Sequence, residues 1–246
     1  MKEYIKKFAN PSLGDNYSIA SIPFMTSVET TGQNLVCNES GKKLVNVSET
    51  LVIQSDGPEM IDLGLSVKWA SANLGATCGD TAESWYGGCY AWGETETKSD
   101  YSWGTYKFGA SSPFSKYDTD GKTILESVDD IATQTYGSNY RMPTKTEIEE
   151  LIALPNKWVT NYNGISGLNC RVFTGTNGNT LFIPAAGYFD GSARNYTGAD
   201  CRLWSSSLYS DDPSNAWYLY FNSSSIFLGK YSNRYCGFSV RCVSTD

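Results

Sequence analysis

Seven cysteines, at positions 37, 78, 89, 170, 201, 236 and 242, are the most intrinsically reactive side chains of this sequence, and they occur without a single histidine. None forms a C-x-x-C pair, so the spacing supports neither a zinc ribbon nor a thioredoxin-type redox centre. The lack of histidine removes Ser-His-Asp and Cys-His catalysis, His-ligated zinc and the imidazole pH switch together. An odd count leaves at least one thiol free or paired between chains, and Cys78 with Cys89 could close a short disulfide loop. Cys236 and Cys242, near the C-terminus, could hold a soft metal as thiolates. Glu147, Glu149 and Glu150 have the look of an acid/base cluster. However, Thr144-Lys-Thr-Glu147 reads as a capping box, which gives these carboxylates a helix-opening role. Calcium needs several converging oxygens, and the one dense set, Asp211, Asp212 and Asn215, reads as a solvated loop. No catalytic residue, metal site or cofactor is expected.

The elements that carry these residues follow from the rest of the chain. It has 246 residues and a formal net charge of −7, from 19 Lys plus Arg against 26 Asp plus Glu. That length suits one domain with a smaller attachment. The acidic balance argues against nucleic acid, because neutralising phosphates takes clustered Lys and Arg. No apolar run approaches about 18 residues, so no membrane insertion is expected. The N-terminal residues also lack the apolar run of about 7–15 residues that a signal peptide needs.

Residues 1–57 read as a small β-module for attachment or oligomerisation. A helical stretch around Tyr4–Phe8 is stopped by Pro11 and Gly14. Asn34–Cys37 and Lys43–Val47 flank the turn Asn38-Glu-Ser-Gly41, and Thr50–Ile53 offers a third strand. Ser55-Asp-Gly-Pro58 marks the boundary. In residues 58–246, Glu126–Tyr136 places Val128, Ile131 and Ala132 on one helical face before Gly137. The capping box opens a second helix with Ile148, Leu151 and Ile152 on its apolar stripe, ended by Pro155. Short strands fill the remainder, and helices and strands do not alternate as βαβ units. The class is therefore α+β, with twisted antiparallel strands and two helices.

Several segments together carry a resemblance. They are Ile61-Asp-Leu-Gly-Leu65, Val67-Lys-Trp-Ala-Ser71, Leu74-Gly-Ala76, Tyr90-Ala-Trp-Gly-Glu-Thr95 and Arg141-Met-Pro-Thr144 with Glu147. Phe182-Ile-Pro-Ala-Ala-Gly-Tyr188, Leu203-Trp-Ser-Ser-Ser207 and Gly237-Phe-Ser-Val-Arg-Cys-Val243 complete the set. Over roughly residues 60–246 the chain resembles the C-type-lectin-fold domain of the Bacteroidetes major paralogous group, related to the formylglycine-generating-enzyme-like superfamily. The resemblance implies an α+β C-type lectin fold with much loop, whose last residues return beside earlier strands and present a ligand-facing surface. Formylglycine-generating relatives use two cysteines in a copper-binding C-terminal motif. Cys236 and Cys242 lie near the C-terminus here, but the surrounding motif is absent.

The composition breaks sharply at residue 188. Residues 188–246 contain no Glu, Gln or Met and a single Lys, Lys230, although residues 1–187 hold 12 Glu, 3 Gln and 4 Met. The same 59-residue stretch is rich in Ser, Tyr, Asn, Asp, Arg, Phe and Gly. An AAC codon randomised at its adenines yields all of these and cannot yield Glu, Gln, Met, Lys or Trp. That pattern resembles the footprint of a diversity-generating retroelement, with 188–238 as the variable-like region and Trp204, Trp217 and Lys230 as fixed positions. In Ala216–Asn222, period-two alternation sends Leu219 and Phe221 inward and Tyr218, Tyr220 and Asn222 outward. Ile226 and Leu228 likewise alternate with Phe227 and Gly229. Arg194, Tyr196, Asp200, Arg202, Tyr231, Asn233, Tyr235 and Phe238 join the outward set from adjacent segments. Such a surface has paratope chemistry, with Tyr for amphipathic contact and Ser, Gly and Asn for adaptable hydrogen bonds.

These readings predict a non-enzymatic ligand-binding protein, a phage-type receptor-binding protein or adhesin at a virion or extracellular surface, with a retroelement-diversified C-terminal face. Its partner would be a cell-surface protein or glycan, and residues 1–57 are compatible with a homo-oligomer. The alternatives are a bacterial surface adhesin or glycan-binding domain and, from another class, a formylglycine-generating-type oxidase.

Overall fold

The structure is a computed structural model that describes residues 43–44, 53–54 and 57–245. The chain divides into two units, Met1–Gly57 and Pro58–Asp246. Within the first, strand β1 (Lys43–Leu44) pairs antiparallel with β2 (Ile53–Gln54). The expected N-terminal helix around Tyr4–Phe8 and the expected strand at 34–37 lie outside the described residues.

The second unit is built on four small sheets. One contains β3 (Met60–Ile61), β4 (Lys68–Ala70), β6 (Tyr140–Arg141) and β16 (Val243–Ser244), in the order β3-β4-β16-β6. The largest contains β5 (Cys89–Tyr90), β12 (Asp200–Leu208), β13 (Ala216–Asn222), β14 (Ile226–Gly229) and β15 (Phe238–Ser239), in the order β14-β13-β12-β15-β5. A meander of β7 (Asn156–Val159), β8 (Cys170–Thr174) and β9 (Thr180–Pro184) forms the third, and the hairpin of β10 (Tyr188–Asp190) with β11 (Ala193–Asn195) the fourth. Both larger sheets are closed by the last few residues. β15 enters parallel to β12 and antiparallel to β5, and β16 lies between β4 and β6.

This architecture corrects the expected fold class. Strand amounts to 32% against 14% helix, spread over several small sheets with only two α-helices among the described residues, so the fold is mostly β and not an identifiable C-type lectin fold. The shared motifs mark strands and a capped helix, which are local features. They do not fix how the sheets assemble.

The helices are short for readable reasons. The first, α1 (Ile131–Tyr136), is capped by Asp130, whose carboxylate accepts from the Ala132 and Thr133 amides. Residues Ser127–Asp129 before it form a separate 3₁₀ turn, so Val128 is exposed instead of joining the apolar face. The second, α2 (Lys145–Ala153), has the full capping box between Thr144 and Glu147. Glu147 also receives two bonds from Arg141, at 2.7 and 2.5 Å, and Glu150 accepts from Ser66. These carboxylates hold the helix in place. No helix among the described residues is long and apolar enough to cross a membrane.

The large sheet is buried on both faces over most of its area. On one face Cys201, Leu203, Leu219 and Phe221 pack with Ile148 and Leu151 of α2 and with Trp69. On the other, Trp204, Tyr218 and Phe238 join an aromatic core with Trp92, Tyr101, Tyr106, Phe108, Phe114 and Tyr117. Trp204 and Phe238 stack at 4.0 Å and 18°, and Gly237 admits Tyr101, since a Cβ there would lie 2.6 Å from that ring. Truncating a fully buried Phe in such a core costs about 3–5 kcal/mol. Phe238→Ala is therefore expected to lose about that much stability in urea denaturation, whereas Tyr196→Ala, at an exposed position, should stay within about 0.5 kcal/mol.

Candidate ligand-binding face

Period-two pleating divides β12, β13 and β14 as their sequence suggests: Leu219, Phe221, Ile226 and Leu228 belong to the core shared with α2. The opposite face carries Asp200, Arg202, Tyr218, Tyr220, Asn222 and Phe227. It is not uniformly outward, because the aromatic loops of residues 101–117 pack over the part around Trp204, Tyr218 and Phe238. Four expected surface residues are corrected: Asp200, at the start of β12, is 6% exposed, and three more are covered by packing. Tyr218 is 7% exposed and Phe238 is fully buried. Gly229 is buried against Tyr218, whose ring would lie 2.3 Å from a Cβ at that position. Alternation marks two faces of a strand but cannot say which part of a face a distant loop will cover.

The uncovered end of the face brings a continuous series of rings and one cation together. Register places Arg202 opposite Tyr220, Tyr220 opposite Phe227, and Asp200 opposite Asn222. The Arg202 guanidinium lies 3.7 Å from the Tyr188 ring centroid and 5.9 Å from that of Tyr220. Tyr188 stacks on Tyr196 at 6.1 Å and 8°, and Tyr220 lies 4.7 Å from Phe227 at 30°. Tyr196 and Phe227, at the two ends of the series, are 62% and 47% exposed. The Asn222 amide donates to the Tyr220 hydroxyl at 2.9 Å, while its oxygen accepts from the Ser224 and Ser225 amides and holds the turn into β14.

Two polar groups in this cluster are unmet. Asp200 is buried, its Oδ1 has no hydrogen-bond partner, and burial pushes its carboxyl up to about 6, an effect the Arg202 charge only partly offsets. The Arg202 Nε is also buried without a partner, and the side chain has no ion pair among the described residues. Buried polar atoms are normally satisfied; the other exceptions among the described residues are on Trp69, Arg171, Arg194 and Ser239.

The remaining expected residues lie elsewhere. Arg194 donates from Nε to the Ala186 carbonyl at 2.9 Å and lies over Tyr86 and Phe189, apart from Arg202. Tyr231, 71% exposed, forms a second cluster with Tyr209 at 5.6 Å and Lys230, and Trp217 meets the far side of Tyr209. Asn233 donates to the Tyr235 hydroxyl at 3.3 Å, and Tyr235 packs edge-on to Trp103 at 4.8 Å. Tyr188 was missed by the outward-residue reading. Its only sequence signal is that the compositional break begins with it.

Residues 174–243 match a family model described as a domain of unknown function (DUF8237). No curated protein and no solved structure matches the chain. The matched segment contains all thirteen expected surface residues together with Tyr188.

The cysteines are held as thiols by burial, and the Asp212 carboxylate closes its own loop. Six described cysteines are free, and Cys78 is exposed whereas Cys89 is buried, so the loop disulfide that their spacing allows is not formed. Cys37 lies outside the described residues. Burial pushes Cys236 and Cys242 each up to about 12, which keeps them as thiols at neutral pH. Asp212 spends its oxygens on the Ser214 amide and hydroxyl and on Asn215, closing its own loop. Among the described residues no group of three or more His, Cys, Asp or Glu is placed to hold a metal.

The raised Asp200 carboxyl has a signed consequence. The folded state binds this proton more tightly than the unfolded chain, so stability falls as pH rises from about 4 to about 6, by roughly 3 kcal/mol. Asp200→Asn removes the effect. In urea titrations its stability relative to the parent should therefore rise by about that amount between pH 4 and pH 7, whereas a pH-independent difference would refute the assignment.

Proposed function

We propose that the chain is a non-enzymatic ligand-binding protein, an adhesin or phage-type receptor-binding protein, acting at a virion or extracellular surface and recognising a cell-surface protein or glycan. The observation that carries this reading is the open end of the large sheet. There Tyr196, Tyr188, Arg202, Tyr220 and Phe227 form one series of ring and cation contacts beside the unmet Asp200 Oδ1 and Arg202 Nε. Rigid aromatics with a polar handle supply contact area at low entropy cost, and contiguous exposed rings on a folded surface favour a partner. The high-lying thiols of Cys236 and Cys242 weigh against the oxidase alternative.

The same reading assigns the compositional break to retroelement diversification of this face. The physical requirement is that varied positions tolerate many side chains. Tyr196 and Phe227 meet it by their exposure, and Tyr220 and Asn222 are half-buried at the open edge, whereas Tyr218, Gly229 and Phe238 do not meet it, since the first and third fill the core and the second has no room for a Cβ. A template repeat beside a reverse-transcriptase gene is expected to carry AAC codons at the first set and to spare the second. Variation at Phe238 and Gly229 as frequent as at Tyr220 would contradict this. For binding, the labelled full chain on intact bacterial cells should lose at least tenfold in apparent affinity on Tyr220→Ala. Tyr235→Ala, outside the series, should leave binding within about twofold.

A further inference from the structure

We infer that the open face takes an acidic saccharide, with Arg202 as the residue that reads the sugar carboxylate; the inference rests on the binding-face reading above. Arg202 is a half-buried guanidinium whose central carbon lies 3.7 Å from the Tyr188 ring centroid, with no ion pair among the described residues. Its Nε is enclosed by protein, so the terminal N–H donors are the ones left for an incoming group. That geometry matches the two oxygens of a carboxylate, which arginine binds in a planar, bidentate manner. Asp200, the nearest acid along the strand, makes no ion pair with it, so the cation is not neutralised from within.

The surroundings favour a sugar over an acidic peptide. Tyr196 and Phe227 lie at opposite ends of the series with 62% and 47% of their surface open, offering flat apolar faces to the C–H face of a pyranose ring. Between them, the half-buried Tyr220 hydroxyl and Asn222 side chain stand at the edge, where sugar hydroxyls that both donate and accept can be met. A peptide partner would instead call for a desolvated pocket to seat an anchor side chain. The face is a row of rings, with its neighbouring buried volume already filled by Tyr218 and Phe238.

The test is a set of immobilised oligosaccharides ending in glucuronate, galacturonate or sialate, each beside its neutral counterpart in which the carboxylate is reduced to the alcohol. The full chain is expected to bind at least one acidic member at least tenfold more tightly than its neutral counterpart. Arg202→Gln should erase that preference while weak binding to the neutral sugar persists. Arg202→Lys, which keeps the charge and loses the fork, should restore part of the preference. Near-parental thermal melting of both variants separates recognition from folding. Equal binding of acidic and neutral members, or binding of a poly-glutamate peptide in place of any glycan, would overturn the inference while leaving the binding face standing. Binding that is indifferent to Arg202 and to Tyr220→Ala alike would overturn both.

Discussion

Two arginines with no carboxylate partner among the described residues, Arg234 and Arg241, sit fully buried near the C-terminus, and several remote loops of the second unit satisfy them. Arg234 donates from Nε to the Tyr106 hydroxyl and from its terminal nitrogens to the carbonyls of Tyr117, Pro213 and Lys116. Arg241 donates to Asn73 Oδ1 and to the carbonyls of Ala70 and Phe182, and burial pulls it down to about 10. A buried cation is costly unless its donors are met. Each guanidinium therefore fixes several loops that are remote in sequence. Between them runs β15, and β16 follows Arg241 directly; these are the strands that complete the two larger sheets. The fold is closed from its C-terminal end.

This closure decides which half of the large sheet stays open. Arg234 holds the loop of residues 106–117 by its carbonyls and stands over Trp92 and Phe114, so the aromatic core is locked across one half of the large sheet. The other half stays open, and the residues left there are those of the Arg202 series. Arg202 and Arg234 lie in the same compositional stretch and are chemically identical, yet they have opposite fates. Every nitrogen of Arg234 finds an acceptor inside, whereas Arg202 has aromatic neighbours and no acceptor.

Local features were legible from residue types alone. The capping box at Thr144 and Glu147, the stop at Gly137 and the period-two division of β13 all depend on near neighbours, and each is present. What depends on remote neighbours was not legible. Nothing near Tyr218 or Phe238 announces that residues 101–117 will cover them, so both read as surface. Tyr188 was overlooked because its role depends on β10 lying beside the start of β12, where Gly187 bridges Cys201. The expected lectin fold failed for the same reason: strands and a capped helix recur in many assemblies, and sheet order is set by the C-terminal return. The surface list held Arg202, Tyr220, Asn222 and Phe227 together, but it also gathered Tyr231 and Tyr235, which occupy separate clusters.

The central claim is that recognition is confined to the open half of the face. A saturation library of residues 188–238, sorted in parallel for folding and for binding to intact bacterial cells, tests it most directly. Positions that lose binding but keep folding are expected to be Tyr188, Tyr196, Arg202, Tyr220, Asn222 and Phe227, with Tyr218 and Phe238 failing in folding. If the binding-specific positions fell instead at Tyr231, Asn233 and Tyr235, or were scattered across both clusters, the account would be contradicted.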